Sequence, residues 1–280
     1  MQRADPVPAP ATFAELAVDG AVVEVPNWST DELRARSERA FTSGAHRLEV
    51  RIDLANVAIA ALALAGGFGY EGRRRGALGA GRDLAVFART AEDPGTPIAP
   101  AFPALPMDGL SDTTIALRVA GPADADAVRE QDADPTTIAF GFQTSPPPAA
   151  EVERMLAGAG LDRLVGPGML CAIVDTTSGR CAGTIRIRAT GLPQVAIIGY
   201  GVHPAFRGRG YTTRALRLLS TWAFARTSLV RLELGARVDN VASQRAALAA
   251  GFEPEGLMRG RLRAPDGTFR DEARFSLLRP

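Results

Sequence analysis

Residues 200–213 read Tyr-Gly-Val-His-Pro-Ala-Phe-Arg-Gly-Arg-Gly-Tyr-Thr-Thr, and this stretch restricts the fold more than any other. Val195 to Val202 is an apolar run of strand length, and Pro204 stops it. From Thr212 the apolar positions take helical spacing, through Ala215, Leu216, Leu218, Leu219, Trp222 and Ala223. Between strand and helix, Arg207-Gly208-Arg209-Gly210 removes side chains where the backbone must turn sharply. A glycine-rich turn at a helix start aims free N–H groups at one spot, here with guanidinium groups beside them, and such a spot suits a pyrophosphate. Two other phosphate loops are excluded by spacing. Neither G-x-G-x-x-G nor G-x-x-x-x-G-K-[ST] fits residues 200–213, and the chain has no lysine to serve the second.

A length of 280 residues, 46% hydrophobic and 22% charged, suits one large or two ordinary soluble domains. The net charge of +1 exerts no global pull toward nucleic acid or an anionic membrane, so neither is expected as a partner. All 32 basic residues are arginine. No apolar run approaches a membrane span of roughly 18 residues, and Met1 to Pro10 has no apolar signal segment, so a cytoplasmic location is expected. Cys171 and Cys181 flank an expected turn at 175–179 and are read as reduced thiols. No metal is expected.

Residues 47–78 repeat as 231–262 without a gap, at a constant offset of 184, with 16 of 32 positions identical. Arg47-Leu48-Glu49 matches Arg231-Leu232-Glu233, Asn56-Val57-Ala58 matches Asn240-Val241-Ala242, and Gly67-Phe68 matches Gly251-Phe252. Beyond a four-residue difference in a turn, Arg82-Asp83 and Phe87 meet Arg270-Asp271 and Phe275. Each copy reads as strand, helix and two further strands, the helix capped by Asn56 or Asn240. The copies differ in what precedes them. Pro26-Asn27-Trp28-Ser29 stands where the second copy has the glycine-arginine loop, and Ile59 stands for Ser243. Ala21 to Val25 and Thr30 to Phe41 are expected as the strand and helix before the first copy.

From residue 114 the order is strand (114–119), helix opened by Pro122, helix (149–157), a hairpin (170–174 and 182–187), the loop strand and the repeat unit. Arg207, Gly210 and Thr212 match the R-x-x-G-x-G/A coenzyme A loop, with Thr212 in place of Gly or Ala. Together with Ile198-Gly199-Tyr200-Gly201-Val202-His203-Pro204, Asn240-x-x-Ser243 and Gly251-Phe252-x-x-Glu255-Gly256, residues 114–280 resemble the RimJ/RimL-like branch of the GNAT (GCN5-related) N-acyltransferases. The resemblance implies an α/β (α+β) acyl-CoA N-acyltransferase fold, a mixed curved sheet with helices on both faces. The expected organisation is a truncated, degenerate GNAT-like domain at 1–92 without the loop, a proline-rich linker at 93–113, and a complete domain at 114–280.

The resemblance also implies a chemistry, transfer of an acyl group from acetyl-CoA or another acyl-CoA to a primary amine by direct attack. Gly201 and Val202 would supply backbone groups to the pantetheine arm where their strand splays. Arg207, Gly208, Arg209, Gly210, Tyr211 and Thr212 would cradle the pyrophosphate, and Asn240 would bond the pantetheine side. Ser243 lies one helical turn further on the same face and would protonate the departing thiolate. His203, an imidazole beside the loop, is a second catalytic candidate, with strand termination as its alternative. Glu255 and Asp271 are expected to be structural. No general base is evident: places that often hold glutamate in relatives carry Ile197, Leu262 and Arg214, and the usual tyrosine acid aligns with Ala247. The acceptor is a peptide or protein N-terminus or a small amine metabolite. A longer-chain acyltransferase and a non-catalytic acyl-CoA-binding protein stay open. The first copy is expected to dock on the second domain or build a homodimer interface.

Overall fold

Strand alternation in the repeat, with Leu48, Val50 and Ile52 against Arg47, Glu49 and Arg51, puts every second side chain of the first copy into a core. The computed structural model describes residues 14–18, 21–25, 28–79, 82–141, 145–264 and 266–280. Pro26, Asn27 and Pro265 therefore lie outside the described residues, as does the segment Met1 to Pro10. The chain divides into two units, Met1–Pro100 and Ala101–Pro280.

The first unit runs β1 (Ala14–Val18), β2 (Ala21–Glu24), α1 (Thr30–Thr42), β3 (Arg47–Asp53), α2 (Val57–Ala65), β4 (Gly69–Arg74) and β5 (Leu84–Thr90), with sheet order β2-β1-β3-β5-β4. Every neighbouring pair is antiparallel. Ser29 and Glu32 close a reciprocal capping box at the start of α1. The expected strand and helix before the repeat form, but β1 intervenes between β2 and β3. That strand was not anticipated.

The second unit runs β6 (Leu110–Ser111), β7 (Ile115–Val119), α3 (Ala125–Ala133), α4 (Pro135–Phe140), α5 (Ala149–Val165), β8 (Gly168–Asp175), β9 (Cys181–Ala189), β10 (Val195–Val202), α6 (Tyr211–Arg226), β11 (Arg231–Arg237), α7 (Val241–Ala249), β12 (Glu253–Arg263) and β13 (Phe269–Leu278). Among the described residues its eight strands lie in the order β12-β13-β11-β10-β9-β8-β7-β6, and only β10 and β11 pair in parallel. One face carries Leu216, Leu219 and Trp222 of α6 against Ile185, Ile198, Leu232 and Leu234. The other packs Val128 of α3 and Val152 and Leu156 of α5 on Leu170 and Ala172. Each large side chain so buried contributes roughly 1.5–3 kcal/mol. α5 runs past Gly158 and Gly160 because Leu161 and Leu164 beyond them are buried. The expected linker 93–113 is shared: Phe102 sits in the second unit's core at 4% exposure, bonded to Arg163, and Leu110–Ser111 pairs with β7.

The two copies pair their strands in the same register. Arg47↔Thr90 through Asp53↔Leu84 becomes Arg231↔Leu278 through Arg237↔Glu272, and the bulge at Tyr70/Gly72 recurs at Pro254/Gly256. Arg47 pairs with Glu49 and Glu71 as Arg231 pairs with Glu233 and Glu255. Gly76 donates its N–H to Asp83, and Gly260 donates to Asp271. Glu255 and Asp271 thus have scaffold roles in the second copy. The Arg231 guanidinium, helped by the Ser276 hydroxyl, holds the Glu255 carboxyl down at about 2.

Candidate active site

β10 keeps β9 as its neighbour along its whole length, from Ala196↔Ala189 to Val202↔Gly183. Its pairing with β11 stops after Ile197↔Glu233. Beyond that point the strands part, and the edges of 198–202 and 234–237 face an opening. Gly199 and Gly201 on β10 and Gly235 on β11 present no side chain on the face where α3 and α4 lie. At Gly201 the space is taken by Gln131, whose Nε2 would stand 2.6 Å from a Cβ placed there.

The loop follows directly. Gly208 and Gly210 both take left-handed backbone, at φ 74° and 75°, with open space where a Cβ would point. Gly210 is the N-cap of α6. Among the described residues, the N–H groups of Gly208 through Thr213 have no acceptor within the protein. They are the donors that an anion at this helix start would use. An open depression beside them is lined by Arg209, Gly210, Thr213, Arg217, Leu218 and the Arg214–Asp112 ion pair.

The side chains of the loop do more structural work than the sequence suggested. Arg207 donates from Nε to the Val202 carbonyl and from Nη2 to Asp134 Oδ2 at 2.5 Å and Thr137 Oγ1 at 2.9 Å. Its guanidinium is a latch holding the loop to α4, and the Val202 carbonyl is already in use. The Tyr211 hydroxyl is buried and donates to Asp175, so only its main chain faces the anion site. Arg209 stays beside the loop, its guanidinium 5.5 Å from the Phe206 ring centroid. Thr212 lies half-buried in the first turn of α6.

His203 does not fit the catalytic expectation. Its Nδ1 accepts from the Ala205 N–H at 3.2 Å, which places the proton on Nε2, and Nε2 lies 2.8 Å from Glu130. With both nitrogens committed and the ring 8% exposed, His203 caps the turn at 204–206.

Across the opening, Asn240 Oδ1 accepts the Ser243 N–H at 3.1 Å, capping α7 as Asn56 caps α2. The Asn240 amide NH2 has no partner among the described residues and is available to a ligand. Ser243 Oγ lies 2.8 Å from the Tyr200 hydroxyl, which also reaches the Ser243 carbonyl at 3.3 Å. Burial pushes the Tyr200 phenol above its usual range, so it stays protonated. Sequence reasoning missed Tyr200, whose strand position gave no sign that it would meet α7. It also missed α4, although Asp134-Pro135 carries an N-cap and a first-turn proline. Asp132 on α3, bonded by Gln131 Nε2 at 3.3 Å, was not singled out either; burial raises its carboxyl above the usual range.

The Acetyltransferase (GNAT) domain family matches residues 114–253, which is half of the chain. The chain belongs to the GNAT acetyltransferases. Among curated proteins, "Probable N-acetyltransferase YjcK" of Bacillus subtilis (strain 168) is 33% identical over 110 residues, 39% of this chain. The matched part spans 60% of that relative's length. A GCN5-related N-acetyltransferase from Brucella melitensis is 25% identical, covering 64% of this chain and 82% of its own, with a TM-score of 0.52. The ribosomal L7/L12 alpha-N-protein acetyltransferase RimL, solved with coenzyme A, is 23% identical over 61% of this chain and 98% of its own, with a TM-score of 0.54. The microcin C7 self-immunity acetyltransferase MccE, solved with acetyl-CoA and AMP, is 19% identical over 62% of this chain and 98% of its own, with a TM-score of 0.55. The last two likenesses show the GNAT fold. Among the described residues, no helix is long and apolar enough to cross a membrane.

Proposed function

We propose that the second unit transfers an acetyl group from acetyl-CoA to a primary amine. The observation that carries this reading is the parting of β10 from β11 beside a loop whose free N–H groups converge at the start of α6. Residues Gly208 to Thr212 would hold the diphosphate through the main chain, with Arg209 adding charge. The unpaired edge of β10 and the Asn240 amide would bind the pantetheine arm. When bound, acetyl-CoA supplies an already activated acyl group, so no covalent enzyme intermediate is needed. The protein contributes alignment and proton handling. Ser243, backed by the Tyr200 hydroxyl, would give a proton to the leaving sulfur.

The acceptor site lies on the face covered by α3 and α4. Similarity to RimL favours a peptide or protein N-terminus, and a small amine is the other candidate. The first unit has the repeated β–α–β–β geometry without the split strand or the loop, which supports a scaffold role rather than a second donor site.

Titration calorimetry with acetyl-CoA, paired with thiol release over peptides beginning with Ser or Ala and over small primary amines, tests this. Binding with turnover is expected. Binding without turnover would make the protein an acyl-CoA-responsive binder, and failure to bind removes the proposal.

A further inference from the structure

Glu272 is a buried carboxylate that neither the scaffold nor the donor cradle uses. It sits on β13 opposite Arg237 and is 4% exposed. Its carboxylate leans over Gly235, so that any side chain there would collide with it. Gly235 is two residues beyond the last β10–β11 pair, on the rim of the opening. Among the described residues no donor hydrogen-bonds to Glu272, and its ion partner Arg274 stands 3.6 Å away while bonding Glu233 at 2.7 Å. A carboxylate on the rim of the opening, with no hydrogen-bond donor among the described residues and its ion partner at 3.6 Å, favours a cationic ligand.

The duplicated unit provides an internal control. At the matching positions of the first copy, Gly235 becomes Arg51 and Glu272 becomes Leu84. There β3 keeps β1 as its neighbour from Leu48 to Ile52, and Arg51 pairs with Glu49 and Glu15. The glycine and the carboxylate occur in the copy whose strand loses its neighbour.

We propose that Glu272 binds the ammonium group of the acceptor and takes its proton. This rests on the transferase reading above. One proton passes from R–NH3+ to the Glu272 carboxylate and on to solvent. The freed lone pair forms the C–N bond as the C–S bond breaks. The second nitrogen proton passes through solvent to Ser243 and replaces the one that Ser243 gives to the sulfur. The products are the amide, the thiol of coenzyme A and one proton. The charged groups around Glu272 are Arg274 beside it, which also pairs with Glu233 of β11, and Arg237 opposite it with Asp239 behind. Its neighbour on β12 is Met258, and α4 brings the Ala139 carbonyl and Phe140 ring to Arg237.

The test uses the full chain with Glu272→Gln and Glu272→Asp. Thiol release is measured over the same amines, with calorimetric titration of each amine into coenzyme A-loaded protein. Glu272→Gln is expected to keep its melting temperature and acetyl-CoA affinity and to bind the amine at least tenfold more weakly. Its kcat should fall by roughly 10²–10³-fold at neutral pH. Raising the pH, which deprotonates the amine in solution, should shrink that loss, and Glu272→Asp should recover part of it. A Glu272→Gln enzyme within threefold of wild type, or one impaired equally at every pH, overturns the assignment. The same holds if Glu272→Gln unfolds while Glu272→Asp folds and loses nothing. Wild-type protein that neither binds acetyl-CoA nor releases thiol sinks the transferase reading itself, and Glu272 with it. Wild-type turnover with an unaffected Glu272→Gln sinks this inference alone.

Discussion

The hydroxyls of Tyr200 and Ser243 meet at 2.8 Å, joining the unpaired end of β10 to the first turn of α7. The Tyr200 proton can reach either the Ser243 carbonyl or Ser243 Oγ. When it goes to the carbonyl, Ser243 donates to the phenol; when it goes to Oγ, the serine proton is free for the sulfur. Ser243→Ala should lower kcat by about 10²-fold and Tyr200→Phe by less, with acetyl-CoA affinity held in both. Steady-state thiol release checks this, and an unaltered kcat in Ser243→Ala would show that the thiolate leaves unaided.

Gly210 caps α6 in the left-handed region with nothing above it, so a methyl group there acts through the backbone alone. Gly210→Ala should cost about 1–2 kcal/mol of loop geometry. If that strain falls on the bound form, acetyl-CoA affinity drops roughly tenfold, a change calorimetry resolves.

Asn56 and Asn240 cap equivalent helices in the two copies. Replacing either with alanine should cost about 1 kcal/mol in denaturant unfolding. Only Asn240→Ala should also weaken acetyl-CoA binding. Equal binding by both variants would reduce Asn240 to a cap.

Asp132 has its carboxyl raised by burial, so the folded state holds a proton more readily than the unfolded chain does. Its contribution is therefore unfavourable above the folded value and vanishes below the unfolded one. Asp132→Asn should raise the melting temperature at pH 7, and the gain should fade toward pH 3. A gain that survives in acid would point to packing instead.

Arg207 has the opposite sense of linkage through Asp134. The guanidinium, helped by the Thr137 N–H, holds the Asp134 carboxyl below its usual range. The stabilisation is present above the ordinary carboxylate range and is lost as pH falls through the lowered value. Arg207→Ala should cost up to about 1 kcal/mol because the pair is partly exposed. It should raise KM for the amine more than for acetyl-CoA, since it frees α4 while leaving the loop amides in place. A larger rise for acetyl-CoA would move Arg207 back into the donor site.

Strand, loop and helix from Val195 to Arg226 were legible because local chemistry dictates them: an apolar run, glycines where φ must be positive, then a 3.6-residue period. The repeat was legible as identity, and its register follows from the alternation of Leu232 and Leu234 with Arg231 and Glu233. Long-range pairing was not. Nothing local to Arg207 says that Asp134, 73 positions away, will claim its guanidinium, and His203 looks free until Glu130 takes its Nε2. Glu272 was passed over because its environment is made by a missing side chain on another strand. β1 escaped notice for a simpler reason, since Leu16, Ala17 and Val18 follow one another with no polar alternation.

α4 is tied at one end to the loop through Asp134 and Thr137, and at the other to β11 through the Ala139 carbonyl and Phe140. A six-residue helix moored on both banks of the gap cannot respond to one without tugging the other. Occupancy of the diphosphate cradle would therefore be felt at the amine entrance, and an obligatory order of substrate addition, nucleotide thioester first, is the kinetic signature such a bridge would leave.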